Sequence, residues 1–303
     1  MKAPWISPAL GLVGALLATV WADGSSAAAG EVQPRYRVTA VLPPEGIRES
    51  VAYGIDGQGR IFANQYLGAS NRTQGYFGGK DIPSEYLGDL GGLSAGVEAV
   101  NSQGQAVGWS RLSNSSVVHG VIYTPSGAVD IGTLGGATSQ AVGINDSGLV
   151  VGNAQDANGW SRPYSYQDGV MTDLSGVLTA NARPAAVNNA GHIAGSIEAG
   201  PGLRGFYYGE NGLEILGLMH EDDAYSEALD VNNLGWVVGI SENFDTGITG
   251  FLYVDGQMTS LGDLGVLATV PYAINDSGWI VGSSVNDASQ QRGFLYKDGQ
   301  IMD

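Results

Sequence analysis

Ile144 to Gly152 reads I-N-D-S-G-L-V-V-G, and the stretch returns along the chain at a nearly fixed interval. It is A-I-N-D-S-G-W-I-V-G-S-S from Ala273, D-V-N-N-L-G-W-V-V-G-I-S from Asp230, A-V-N-N-A-G-H-I-A-G-S-I from Ala186 and A-V-N-S-Q-G-Q-A-V-G-W-S from Ala99. A worn copy, G-I-D-G-Q-G-R-I-F-A-N-Q, starts at Gly54. The slot that holds Asn145 holds Asp56, Asn101, Asn188, Asn232 and Asn275 in the other copies, with spacings of 45, 44, 43, 44 and 43 residues. A period in this range belongs to propellers and solenoids. The chain is one supersecondary unit written six times.

The turns inside the unit carry their own chemistry. Asn145-Asp146-Ser147-Gly148 offers a side chain able to bond the backbone two residues on, then a glycine free to take positive φ, which predicts a β-hairpin. The same pairing of Asn and Gly recurs as Asn101 with Gly104, Asn188 with Gly191, Asn232 with Gly235 and Asn275 with Gly278. Further along come Ser126-Gly127, Asp168-Gly169, Asn211-Gly212, Asp255-Gly256 and Asp298-Gly299, each between apolar residues. These are strong two-residue hairpin signals. Each repeat is therefore cut into four short antiparallel strands. The first precedes a Gly-rich turn such as G-T-L-G-G-A-T-S from Gly132; the second is short and ends at Ile144; the third is the Val-Val-Gly stretch; the fourth is aromatic, as in Phe251-Leu252-Tyr253. No segment after the N-terminal region holds a 3.6-residue period for three turns, so the expected class is all-β.

Beyond the turn, a second glycine recurs at Gly108, Gly152, Gly195, Gly239 and Gly282. Inside a strand this marks close backbone approach, expected here from crowding near a central axis. Four strands per repeat fit a closed propeller or an open solenoid. The leading strand occurs a seventh time at Ile301-Met302-Asp303, and Tyr36–Leu42 matches it at the other end. The expectation is a β-propeller of six blades of four antiparallel strands over residues 36–303, closed by the N-terminal strand. Closure also removes sheet edges that invite aggregation.

These motifs resemble the HAF repeats of a family of bacterial extracellular repeat proteins, in which a G-x-L-G-G turn, A-x-x-I-N-x-x-G-x-V-V-G and an aromatic F-L-Y with a D-G turn follow one another. The likeness runs from Tyr36 to Asp303. It implies a secreted or cell-surface propeller and supplies no catalytic residues. Two places depart from the pattern: the first repeat has Asn64 where the second glycine belongs, and the turn from Gly217 reads G-L-M-H-E-D-D.

Composition narrows the function. With 303 residues and 43% hydrophobic content the chain can bury a large core, and 14 Tyr, 6 Phe and 6 Trp argue against global disorder. Thirteen Lys plus Arg against 30 Asp plus Glu give a formal charge of -17, which repels phosphate backbones and anionic membranes. The absence of cysteine excludes disulfides, thiolate metal sites and a Cys nucleophile. Residues 1–29 read as a Sec-type signal peptide, with Lys2, an apolar run from Ala9 to Val20 and small residues for cleavage after Ala22 or Ala29. Residues 30–35 make a spacer. The run is too short and too interrupted by Gly11 and Gly14 for a membrane span. This predicts an exported monomer, extracellular or periplasmic, with no membrane span after cleavage and no nucleic-acid partner.

Candidate sites are few. The residue after each turn glycine varies while its neighbours do not: Arg60, Gln105, Leu149, His192, Trp236 and Trp279. Brought into a ring at one end of an axis, the tryptophans would stack on sugar faces with Arg60 and His192 as polar partners. The plainer reading is an exposed strand position on which packing imposes no choice. Glu221, Asp222 and Asp223, beside His220, are hard oxygen ligands suited to Ca2+ but lack the spaced pattern of an EF-hand loop; the plainer reading is a solvated acidic loop. The three histidines, His119, His192 and His220, fall in different repeats, and no G-x-S-x-G elbow is present. The function expected is a non-catalytic binding scaffold for a glycan or protein ligand. The alternative is a carbohydrate-active enzyme, a polysaccharide lyase or hydrolase, whose site would gather His, Tyr and Arg at the propeller mouth.

Overall fold

The computed structural model describes residues 16–19, 37–40, 49–67, 72–79 and 82–303. From residue 49 onward the chain forms six four-stranded antiparallel sheets in sequence order, over residues 49–86, 91–130, 135–173, 183–215, 225–260 and 265–302. A single parallel bridge between Ile248 and Ala268 joins the fifth to the sixth. One four-residue helix, Ser175–Leu178, interrupts the all-β pattern.

The hairpins form as the turn residues dictate. Asp168, Gly169, Asp255, Gly256, Asp298 and Gly299 all have positive φ, the requirement of a type I′ turn. In the Asn turns, Asn145 Oδ1 accepts the N–H groups of Ser147 and Leu149, both at 3.0 Å, and Gly148 takes φ 80°. The same pair of bonds recurs at Asn101, Asn188, Asn232 and Asn275.

The opening strand of each sheet carries a bulge just before this turn, as between Ala141 and Gly143 or Ala228 and Asp230. The bulge accounts for the second glycine. A Cβ at Gly152 would lie 2.0 Å from the Gln140 carbonyl oxygen and 2.9 Å from the Tyr164 hydroxyl; at Gly195 it would lie 2.1 Å from the Arg183 carbonyl and 2.9 Å from the Phe206 ring. The close approach is thus to the opening strand and the aromatic strand of the same sheet, not to a central axis. In the first sheet the register pairs Ala52 with Ala63, as it pairs Ala141 with Gly152, so Ala63 holds the second-glycine position and Asn64 does not. Asn64 instead donates to the Val97 carbonyl and accepts from the Val97 N–H of the second sheet.

The sheets are grouped one strand out of phase with the sequence reading. Each opens on a strand running up to the Asn turn, and these strands are longer than expected, ten residues in Gly135–Ile144. Each closes on the short strand after the two-residue hairpin. Gln300–Met302 is accordingly the fourth strand of the sixth sheet, paired with Gln291–Lys297. The N-terminal strand does not complete that sheet: Arg37–Ala40 pairs with Leu16–Thr19. The rest of the proposed signal segment and of the strand Tyr36–Leu42 lies outside the described residues.

Among the described residues five hydrophobic cores are found, one at each junction between consecutive sheets. Val107 and Ile131 meet Ala141, Ile144, Val150 and Tyr164 between the second and third sheets. Val151 and Leu178 meet Ala182, Val187, Ile193 and Phe206 at the next junction, and Val238 and Leu261 meet Ile274, Ile280 and Phe294 at the last. The apolar residue between the fourth strand and the turn that follows it is a plug between sheets, which is why Leu87, Ile131, Leu216 and Leu261 are buried while the glycines after them are not. The opening strands of neighbouring sheets lie next to one another along the whole series.

Candidate functional site

Because every opening strand runs up to its turn and the opening strands adjoin, the turns of five sheets converge on one pocket of about 270 Å³. Its wall runs from Asn101 through Asn145, Asn188 and Asn232 to Asn275, with Asp146 and Asp276 beside them. The turns are stitched by a ladder. Asn101 Nδ2 donates to the Asn145 carbonyl (3.0 Å), Asn145 to Asn188 (2.9 Å), Asn188 to Asn232 (2.9 Å) and Asn232 to Asn275 (3.0 Å). A second ladder runs outside it, where the N–H of Ser102, Asp146, Asn189 and Asn233 each donates to the side chain of the next turn, at 2.8–2.9 Å. One Asn thus shapes its own turn through Oδ1 and binds the next sheet through Nδ2.

The first repeat breaks the inner ladder. Asp56 has no amide to donate, and its carboxylate takes the Arg60 guanidinium instead, Nε to Oδ2 at 2.6 Å. The step to the second sheet is made by the Gly57 N–H on the Ser102 carbonyl at 2.9 Å. Burial pushes the Asp56 carboxyl up, but hydrogen bonds from Arg60 and Gln58 outweigh it and hold the group below the usual carboxylate range. At Asp146 burial is likewise outweighed, by Ser102 and Asn189, with a net lowering.

Of the varying residues after the turn glycines, Arg60, Leu149 and Trp236 reach the turn of the next repeat, while Gln105, His192 and Trp279 have partners on their own sheet. The Arg60 guanidinium lies where a Cβ at Gly104 would be, Leu149 borders Gly191, and Trp236 lies against Gly278. His192 Nδ1 is 2.7 Å from the Tyr207 hydroxyl, and that hydroxyl covers Gly235. Gln105 is exposed and accepts from Asn101 Nδ2 at 2.7 Å. The Lys297 ammonium sits 4.5 Å over the Trp279 ring. Each of these side chains touches the next repeat or its own sheet.

The acidic loop is organised around a single carboxylate. Asp223 Oδ2 accepts from Ser241 Oγ at 2.6 Å and from the His220 N–H at 3.0 Å, and the Asp222 carbonyl accepts from Asn243. Glu221 and Asp222 are exposed. No group of three or more His, Cys, Asp or Glu placed to hold a metal ion occurs among the described residues. The histidines stay apart. His119 bridges Asp130 and the Ala137 carbonyl, His192 pairs with Tyr207, and His220 caps its own loop.

Sequence reasoning passed over Glu98. It stands on the opening strand of the second sheet, where Gln140 of the third donates to it at 3.2 Å. Burial pushes its carboxyl up to about 7, against hydrogen bonds from Trp109 and Gln140 that pull it down. Its position in the repeat is held by Tyr53, Val142, Ala185, Leu229 and Tyr272 elsewhere, so the single acid among them was the available signal.

No family model matches the chain, and no curated protein matches it. Among solved structures it is similar to the β-propeller domain of the Trilobed protease from Pyrococcus furiosus, described as having an open velcro topology (11% identity, 89% of this chain and 85% of that one, TM-score 0.61). It is similar also to a putative TolB from Agrobacterium tumefaciens (12% identity, 89% and 94%, TM-score 0.56) and to TolB from Acinetobacter baumannii (11% identity, 88% and 75%, TM-score 0.53). At these identities the likeness is one of fold: an all-β chain of four-stranded antiparallel sheets in the manner of a β-propeller. No helix among the described residues is long and apolar enough to cross a membrane.

Proposed function

We propose that the chain is an exported, non-catalytic propeller scaffold of six blades that binds a glycan or protein ligand at the cell envelope or outside the cell. The observation that carries this reading is the convergence of five sheets on the Asn-lined mouth, where the equivalent turn of each of those five lines one opening. The HAF-like motif and the apolar N-terminal run support export. The separation of the three histidines from one another speaks for binding over a lyase or hydrolase. The blades follow one another without strand exchange, since the sixth sheet is complete within residues 265–302. An open velcro topology is what the Pyrococcus furiosus domain is described as having.

The test is a glycan array and an envelope-extract pull-down with the exported chain, followed by titration of whatever is retained. Replacing both mouth carboxylates, Asp146→Asn with Asp276→Asn, keeps the ladder acceptor that Asn233 already supplies at the same position. The double variant is expected to weaken ligand binding at least tenfold with a melting temperature within about 3 °C of the parent. Unchanged affinity would move the site away from the mouth, and turnover of a retained polysaccharide would overturn the non-catalytic reading.

A further inference from the structure

Six sheets in a ring have six junctions, and five are packed. The same two positions meet at each. Phe62, Val107, Val151, Ala194 and Val238 point forward to the next sheet and are at most 2% exposed. Facing them, Ile144, Val187, Val231 and Ile274 are 5–9% exposed, and Val100 is packed on the remaining core. The sixth pair by the same count is Val281 of the sixth sheet and Ile55 of the first. They are 45% and 40% exposed. Tyr272 and Val266 on the sixth sheet and Val51 and Tyr53 on the first are exposed as well.

The ladder ends at the same place. Asn275 Nδ2, alone among the five ladder amides, has no acceptor among the described residues, and the Asp56 carbonyl accepts only from Gly59. At the four steps from the second sheet to the sixth the equivalent amide binds the equivalent carbonyl. Two exposed apolar faces, one donor and one acceptor are thus left over on the first and sixth sheets.

We propose that the first and sixth sheets form a latent sixth junction that closes within a single chain, Val281 packing on Ile55 while the Asn275 amide binds the Asp56 carbonyl, so that this seam is where the ring opens and shuts. The inference rests on the six-blade reading above. Closure by faces requires no strand to cross, because both flanking sheets already hold four strands. Tethering in one chain raises the effective concentration of the two faces to the millimolar range, which favours self-closure over capture of a second copy. The seam is also the junction with least to hold it. Arg60 and Gly57 engage the second sheet rather than the sixth.

The chain has no native cysteine, so Ile55→Cys with Val281→Cys gives a clean probe. Treated with a short bismaleimide at micromolar protein, the double variant is expected to yield an internally bridged monomer, with Val151→Cys and Val187→Cys as the pair marking a formed junction. A bridged dimer would overturn the proposal and assign the two faces to a second copy. Two thiols that label singly and never bridge would overturn it too. As a second measurement, Val281→Lys is expected to lower the melting temperature by about 5 °C; an unchanged value would mean that the face stays in water and would sink the idea. None of these readouts involves a ligand, so failure of the mouth to bind anything would leave the seam standing, and failure of the seam would leave the mouth to be tested.

Discussion

Asn188 does three things at once: it accepts from Ala190 N–H and His192 N–H, and it donates to the Asn232 carbonyl of the next sheet. Asn188→Ala removes all three in a buried setting and is expected to cost about 3 kcal/mol, read from urea unfolding. Asn188→Asp keeps the two acceptor bonds but loses the inter-sheet donor and sets a carboxylate oxygen against the Asn232 carbonyl, so about 2 kcal/mol is expected for it. If the two variants are equally unstable, the ladder rather than the turn sets the choice of Asn. Gly195 tests the bulge in the same way. A methyl group there would overlap the Arg183 carbonyl, and backbone cannot rotate aside as a side chain can, so Gly195→Ala is expected to lose about 3 kcal/mol. The sequence carried the turn half of this and not the ladder half. Asx-turn bonding is local and readable from four residues, whereas a bond between residues 44 apart appears only as a repeat that is stricter than turns require. The Gly195 position was legible as a close approach, but its cause was misplaced. Nothing in the spacing says that a bulge turns a carbonyl of the same sheet into that space.

At the scale of the strand and its sheet, Glu98 is the element most out of keeping with its neighbours. An acid whose folded value is raised from 4.5 to about 7 contributes stability that is fully present below the unfolded value and is lost as pH rises through the folded one. Glu98→Gln, which has no charge to lose, is therefore expected to match the parent at pH 4 and to exceed it above pH 7, by at most about 3 kcal/mol. Chemical denaturation at the two pH values checks this; an advantage that is larger in acid would reverse the assignment. Elements of this sort mark where sequence reading stopped. The hairpins were legible because their signals lie in two to four adjacent residues, and strand phase was not. Whether the short strand at Gln257–Ser260 belongs with the residues before or after it depends on pairing with Gly247–Val254, a tertiary fact. The role of the varying residues after the turn glycines was not legible for the same reason. A position can vary because solvent tolerates anything or because each seam presents a different neighbour, and here Arg60, Leu149 and Trp236 each meet a differently furnished turn.

For the whole molecule, the phase of the sheets changes what the N-terminal region is expected to do. Were Tyr36–Leu42 the fourth strand of the last sheet, its removal would bare an edge and bring aggregation. The sixth sheet instead draws its fourth strand from Gln300–Met302, and the first sheet begins at Glu49 with its own fourth strand at Ile82–Tyr86. A chain starting at residue 49 therefore retains all six sheets, all five cores and the whole Asn ladder. It is expected to stay soluble with a melting temperature within about 3 °C of the longer form and a radius of gyration of roughly 18 Å by small-angle scattering. Removing the other end has the opposite consequence, since loss of residues 300–303 leaves the aromatic strand Gln291–Lys297 as a bare edge, paired only with Ile280–Asn286, and leaves Tyr296 without Ile301. The two truncations thus separate the candidate closures. If the N-terminal deletion aggregates while the C-terminal one does not, the ring is held by strand exchange after all; the reverse order is what face-to-face closure at the first and sixth sheets requires.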